Sequence, residues 1–156
     1  MTQPPFLLRS AAPSDADAIS ALIDGLAHFF LVDPDDRASG AAFLDEITPP
    51  AIRRLLDDPA YRYHVATTDE GTIVGVVAFR DRQHLFHLFV ETAYHRRGLA
   101  RQLFDLAWRT AGSPTRVTVS ATPYAVPAYQ RLGFVATGER VEQNGIAFVP
   151  MARDAG

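Results

Sequence analysis

A glycine flanked by arginines lies near the middle of the chain, between an apolar β-type stretch and a helical one. The turn reads His95-Arg96-Arg97-Gly98-Leu99-Ala100, with Arg101 directly after it. The first N–H groups of a helix have no partner within the helix, and the helix dipole adds partial positive charge there. Gly98 and the small Ala100 leave room for a ligand to approach the backbone. The sequence therefore predicts a phosphate or other anion site, with a solvated basic loop ahead of an ordinary helix as the alternative.

Two histidines, His84 and His87, lie in the strand-like stretch before this turn. Since side chains alternate between the faces of a strand, we expect one face to carry His84, Phe86, Leu88 and Val90. His87 would then point to the opposite face, so the two rings could not share a metal ion, and we expect no metal site. A neutral imidazole can accept a proton near pH 7, which makes His84 a candidate base; a solvent-facing or structural histidine is the alternative.

The order of the predicted elements brings these residues into one domain. A short strand at 6–9 and three helical segments, the last of them after Pro49-Pro50, precede β-rich stretches at 61–67, 72–80 and 83–90. A helix at 98–111, a strand at 116–120, a helix at 123–132 and a hairpin around Asn144-Gly145 follow. A sheet with interspersed helices indicates a single α/β or α+β domain over residues 1–156.

The composition argues against several classes of protein and kinds of site. Of the 156 residues, 47% are apolar, and 15 basic against 18 acidic side chains leave a net charge of −3. This balance argues against a nucleic-acid binder that relies on general electrostatics. The absence of cysteine excludes disulfides, zinc–thiolate sites and cysteine nucleophiles. No apolar stretch is long enough to cross a bilayer and the first residues lack signal-peptide features, so we expect a soluble, cytoplasmic protein without a membrane partner.

Two segments together resemble the signature of the GNAT acetyltransferase family. Its pyrophosphate motif, Gln/Arg-x-x-Gly-x-Gly/Ala between a strand and a helix, is similar to residues 95–100, where His95 stands at the Gln/Arg position. The family's second segment is a strand, then Asn-x-x-Ala, an aromatic residue and Gly-Phe. It resembles residues 117–134 at Ala125, Tyr129, Leu132, Gly133 and Phe134. Thr122 stands where the family has Asn, and the resemblance extends over nearly the whole chain.

The resemblance implies a GNAT fold, with a mixed central sheet of about six to seven strands flanked by about four to five helices. It implies transfer of an acetyl group from acetyl-CoA to a primary amine of a small molecule or peptide, by direct attack in a ternary complex. Tyr129 would be the acid that protonates the departing thiolate, and His84 the base. A packing role for Tyr129 and a base at Glu91 are the alternatives. The implied cofactor-binding residues, with Phe89 and Val90 acting through the main chain, are Phe89, Val90, His95, Arg96, Arg97, Gly98, Leu99, Ala100, Arg101, Thr122 and Tyr129.

Two apolar, aromatic segments, 28–32 and 144–148, correspond to the regions that build the acceptor pocket in the family. We expect acceptor contacts from Phe29, Phe30, His84 and Phe148, although each aromatic residue could instead belong to the core. An apolar pocket would suit a small, partly apolar acceptor better than a polyamine. The rival hypothesis is a non-catalytic acyl-CoA-binding sensor or scaffold, against which the retained Tyr129 speaks. Dimers are common among similar proteins, so the resemblance leaves a homodimer open.

Overall fold

The computed structural model describes residues 6–95, 98–143 and 145–154. Arg96, Arg97 and Asn144, which belong to the predicted phosphate turn and hairpin, lie outside the described residues. The described chain forms eight strands: β1 Leu7–Ser10, β2 Tyr61–Thr67, β3 Ile73–Arg80, β4 His84–Val90, β5 Arg116–Ala121, β6 Val135–Ala136, β7 Val141–Gln143 and β8 Ile146–Asp154. Its five α-helices are α1 Ala16–Gly25, α2 Ala41–Leu44, α3 Pro49–Asp57, α4 Leu99–Thr110 and α5 Val126–Arg131.

The strands form one mixed sheet in the order β1-β2-β3-β4-β5-β8-β6, with β7 also paired to β8. This confirms the predicted fold class. The predicted strand at 134–141 is divided into β6 and β7. Thr137 donates its N–H to the Pro150 carbonyl at 2.9 Å, but Pro150 has no N–H to return, so the ladder between β6 and β8 ends there. No helix among the described residues is long and apolar enough to cross a membrane.

Neighbouring strands of the sheet are antiparallel except β4 and β5, which run parallel. These two strands pair only at His84 with Thr118 and at Leu85 with Val119. Beyond that point they separate, and a gap opens between the carboxyl ends of β4 and β5. The gap lies between the two layers of helices, because α4 and α5 pack on one face of the sheet and α1 and α3 on the other.

A β-bulge interrupts the alternation of side chains along β4. His87 pairs with Ala78, whereas Leu85 pairs with the next residue of β3, Phe79, so Phe86 is the extra residue. Phe86 and His87 consequently both point toward α1 and α3, where His87 contacts Tyr63. Leu85, Leu88 and Val90 belong to the core under α4 and α5. The expectation of one face with His84, Phe86, Leu88 and Val90, and of His87 on the other, is therefore wrong.

Candidate active site

A cavity of about 490 Å³ lies on the α1 face of the sheet, next to the gap between β4 and β5. Strands β4 and β5 supply His84, His87 and Ser120 to its wall, and Thr122, directly after β5, also lines it. Arg80 and Glu46 are the residues with full charges among its described lining. Apart from Gln143, the remaining wall is apolar and is formed by Phe30, Ala42, Phe43, Ile47, Phe86, Phe89, Ile146 and Phe148.

His84 is held at the start of β4 by its neighbour across the parallel pair. Its Nδ1 lies 2.8 Å from the Thr118 hydroxyl oxygen. Burial lowers the pKa of His84, and the positive charge of Arg80 lowers it further. In the tautomer that donates from Nδ1 to Thr118, Nε2 keeps its lone pair. The structure therefore places a neutral imidazole in the cavity wall, and in that tautomer its Nε2 can accept a proton.

His87 is a second imidazole in the wall of this cavity, although sequence reasoning placed it on the other face. Its Nδ1 lies 3.1 Å from the Tyr63 hydroxyl oxygen. Burial raises the pKa of Tyr63 and lowers the pKa of His87 to about 3, so both groups are neutral at pH 7. In the tautomer that carries the ring proton on Nε2, the phenol donates to Nδ1. No local pattern marks Tyr63 as the partner, because the pair forms only when β2, β3 and β4 assemble.

The main chain of β4 alternates in the direction of its hydrogen-bonding groups. Glu91 donates to the Val74 carbonyl at 2.8 Å, which makes Phe89 and Val76 the next hydrogen-bonded pair. The N–H and C=O groups of Leu88 and Val90 therefore point into the gap. Val90 lies as expected for a main-chain role. The main-chain groups of Phe89 bond within the sheet, and its ring lines the cavity. Leu88 was not predicted as a site residue, but its main-chain groups point into the gap.

His95, the residue at the Gln/Arg position of the turn, bonds back to β4. Its Nε2 lies 2.7 Å from the Val90 carbonyl oxygen and so donates to it. The imidazole thus ties the turn to the strand end that precedes it. The next two residues, Arg96 and Arg97, lie outside the described residues.

The start of α4 presents free N–H groups next to this turn. Gly98 has φ of 75°, a left-handed conformation that favours glycine, and stands directly before the helix. The first bond runs from Gln102 N–H to the Gly98 carbonyl at 3.0 Å, so the N–H groups of Leu99, Ala100 and Arg101 have no partner within the helix. The Leu99 side chain is buried, and the Arg101 guanidinium donates to the Arg131 carbonyl at the end of α5, at 2.6 Å.

Tyr129 lies on the face of the sheet opposite to His84. It lies on α5, buried in the core under α4 and α5, with its ring edge-to-face against Phe134 at 5.5 Å. Burial raises the pKa of Tyr129, so the phenol stays protonated. Thr122, at the end of β5, lines the cavity, and its carbonyl rather than its hydroxyl accepts the bonds that begin the following helical turn.

The four predicted acceptor contacts divide between two places. Phe30, Phe148 and His84 line the cavity. Phe29 is not part of its lining; its ring stacks on Tyr124 at 4.4 Å and lies 6.5 Å from the ring of His95, beyond the end of β4. Consecutive residues of the 3-10 turn at 27–29 point in different directions, which separates Phe29 from Phe30.

The described residues contain no group of three or more His, Cys, Asp or Glu side chains that could hold a metal ion. His84 and His87 line one cavity, contrary to the expectation that they diverge, but without a third ligand. Glu91, the alternative base, is exposed at the end of β4 and is not part of the cavity lining.

Comparisons with known proteins concern the whole domain. Residues 24–155 match the family model described as an acetyltransferase (GNAT) domain. No curated protein matches the chain in sequence. A GCN5-related N-acetyltransferase from Rhodopseudomonas palustris is 24% identical, with 99% of both chains covered and a TM-score of 0.77.

Two further solved structures are similar. The PaiA N-acetyltransferase from Thermoplasma acidophilum, solved with coenzyme A, is 10% identical, with 96% of this chain and 99% of that chain covered and a TM-score of 0.76. A GCN5-related N-acetyltransferase from Kribbella flavida is 21% identical, with 97% and 98% covered and a TM-score of 0.68. At these identities the likeness establishes the fold.

Proposed function

This chain belongs to the GNAT acetyltransferase family, and we propose that it transfers an acetyl group from acetyl-CoA to a primary amine by direct attack in a ternary complex. The acceptor is the amine of a small molecule or peptide. The observation that carries the proposal is the gap between β4 and β5, whose pairing ends at Leu85 and Val119. The N–H groups at the start of α4, which have no partner within the helix, lie beyond one end of this gap. The cavity that contains His84 lies at the α1 face of the gap.

The residues present fit acetyl-CoA as co-substrate. Main-chain groups of Leu88 and Val90 point into the gap, where they would bond the amide groups of the pantetheine arm as a neighbouring strand does. The N–H groups at the start of α4 would hold the pyrophosphate, since a helix N-terminus is a natural anion site. Arg96, Arg97 and Arg101 are the cations that we propose add charge there.

Two side chains on opposite faces of the sheet, His84 and Tyr129, carry out the proton transfers. His84 accepts a proton from the acceptor amine, directly or through a water molecule, because its lowered pKa keeps the imidazole uncharged at neutral pH and the tautomer with its proton on Nδ1 leaves Nε2 free to accept. The amine nitrogen then bonds to the acetyl carbon as the carbon–sulfur bond breaks. Tyr129, whose raised pKa keeps its proton in place, donates that proton to the departing sulfur.

Release of free thiol from acetyl-CoA in the presence of an amine panel tests the proposal. Tyr129→Phe should lower kcat by about 100-fold, the scale of general acid catalysis, with little change in the affinity for CoA. Tyr124→Phe is the matched control, since Tyr124 lies on the same segment but is exposed and outside the cavity lining. An unchanged rate for Tyr129→Phe would reject the acid role.

The pH dependence of turnover tests the base. His84→Gln should flatten the acidic limb of the pH–rate profile, and an intact limb in this variant would place the base elsewhere. Binding of CoA without turnover of any amine, unaffected by Tyr129→Phe, would instead support the non-catalytic sensor or scaffold.

A further inference from the structure

The charge beside the proposed base is positive. Arg80 and His84 are directly opposite each other in the β3–β4 hairpin. Side chains at such positions have Cβ atoms about 5 Å apart. Arg80 is also the charged group that perturbs the His84 imidazole, whereas Glu46, the other charged lining residue, does not appear among the groups that do so.

The Arg80 guanidinium is available to a ligand. It lies 5.9 Å from the centroid of the Phe86 ring, on the cavity wall. Its described ion pair is a contact of 4.0 Å from Nε to Asp81, with the side chains of both residues substantially exposed. Such a surface pair is weak, and it leaves the paired N–H groups of the guanidinium edge for a carboxylate.

A cation beside the base disfavours acceptors whose only charges are ammonium groups, because Arg80 repels them where they must react. An amine that carries a carboxylate beside it avoids this repulsion. In an α-amino acid a single carbon separates the amine from the carboxylate, so the two groups can contact two side chains that are neighbours in one hairpin, as Arg80 and His84 are. Apart from Glu46, Ser120, Thr122 and Gln143, the rest of the wall is aromatic and aliphatic, and both histidines in it are neutral. This apolar part of the wall suits an apolar side chain.

We propose that the acceptor is an α-amino acid with an aromatic or large aliphatic side chain, whose carboxylate binds Arg80 while its amine faces His84. This inference rests on the proposed function and names its substrate class. The amine nitrogen forms a bond to the acetyl carbon and loses a proton to His84. The carbon–sulfur bond breaks, and coenzyme A leaves as its thiol. The product is an N-acetyl amino acid, and no other reactant is needed.

The test compares amine acceptors with and without a carboxylate. We would measure kcat/KM with acetyl-CoA for L-phenylalanine, L-phenylalaninamide, phenethylamine and spermidine. A charge-assisted contact predicts that L-phenylalanine exceeds both neutralised analogues on the order of 10- to 100-fold. Arg80→Gln should remove this advantage and leave phenethylamine turnover the same or higher. Arg82→Gln is the matched control, since it removes an equal charge from an exposed turn position that does not line the cavity.

Each outcome decides the inference. Equal or better turnover of phenethylamine, the amide or spermidine overturns it, while the proposed acetyltransferase function stands. An equal loss for all acceptors in Arg80→Gln also overturns it. If no amine is turned over, binding of L-phenylalanine in the presence of CoA, measured by calorimetry, distinguishes failure of the carboxylate site from failure of the proposed acetyltransferase function. Binding that is lost in Arg80→Gln supports the carboxylate site and rejects catalysis, whereas no binding rejects both.

Discussion

The turn between β7 and β8 offers a sharp test of how the cavity is built. Gly145 has φ of 76°, and its carbonyl accepts the Val32 N–H at 2.9 Å. Next to this bond, Leu31 forms an isolated bridge with Ile146. The hairpin that carries Ile146 and Phe148 into the cavity wall is thereby fixed to the segment that carries Phe30.

Gly145→Ala would force the turn between β7 and β8 away from the backbone of residues 39 and 40, and thereby from Val32. A Cβ at this position would lie 2.2 Å from the Ser39 carbonyl oxygen and 2.9 Å from the Gly40 Cα. Ordinary contact needs about 3.5 Å, so the segments must separate by roughly an ångström. The left-handed φ costs an alanine about 1–2 kcal/mol. Loss of the Val32 hydrogen bond adds about 1 kcal/mol, and overpacking adds about 1 kcal/mol or more. We expect a loss of about 3–4 kcal/mol in the free energy of unfolding.

Gly71→Ala is the matched control, because Gly71 has φ of 85° and an added Cβ meets nothing within 4 Å. It should lose only the conformational cost of about 1–2 kcal/mol. Urea denaturation followed by the fluorescence of Trp108, the single tryptophan, measures both values. We also expect Gly145→Ala to raise the KM of the acceptor with little effect on CoA affinity. Losses of stability that agree within about 0.5 kcal/mol would refute the close-approach argument.

Two further predictions concern the buried pair of Tyr63 and His87. The pKa of His87 lies at about 3 in the folded protein, against 6.5 ordinarily, so the unfolded chain binds the proton first. The contribution of this group to the free energy of unfolding is therefore fully present above pH 6.5 and is lost as the pH falls toward 3. His87→Gln should reduce the slope of the free energy of unfolding against pH in this range by up to about 1.4 kcal/mol per pH unit. Tyr63→Phe should cost about 1–3 kcal/mol in urea denaturation at pH 7, because it leaves Nδ1 of His87 buried without a donor. An unchanged pH slope in His87→Gln, or a Tyr63→Phe variant as stable as the parent, would contradict the pairing.

Local patterns in the sequence were enough to predict most elements of the fold. The alternating stretch at 61–67 coincides with β2, and the predicted strands at 72–80 and 83–90 differ from β3 and β4 by one residue at the start. The turn before α4 was equally predictable from the sequence, because a glycine between a strand and a helix is a local signal. The paired motifs also identified the family, since they depend on residues that are near one another in the chain.

The positions of the side chains in the cavity depended on contacts distant in sequence. The bulge at Phe86 places His87 on the same face as His84. A bulge arises from the way β4 pairs with β3, so it cannot be predicted from the alternation of side chains along one strand. The same pairing decides that Val90 and not Phe89 directs its main chain into the gap.

The sequence by itself thus determined the order of most strands and helices, the glycine turn before α4 and the family, because these follow from local periodicity and short motifs. Only the tertiary structure decided that Tyr63 partners His87, that Arg80 lies beside His84 on the cavity wall, and that Phe30 rather than Phe29 lines the cavity. The physical reason is that register, bulges and burial are properties of several strands packed together.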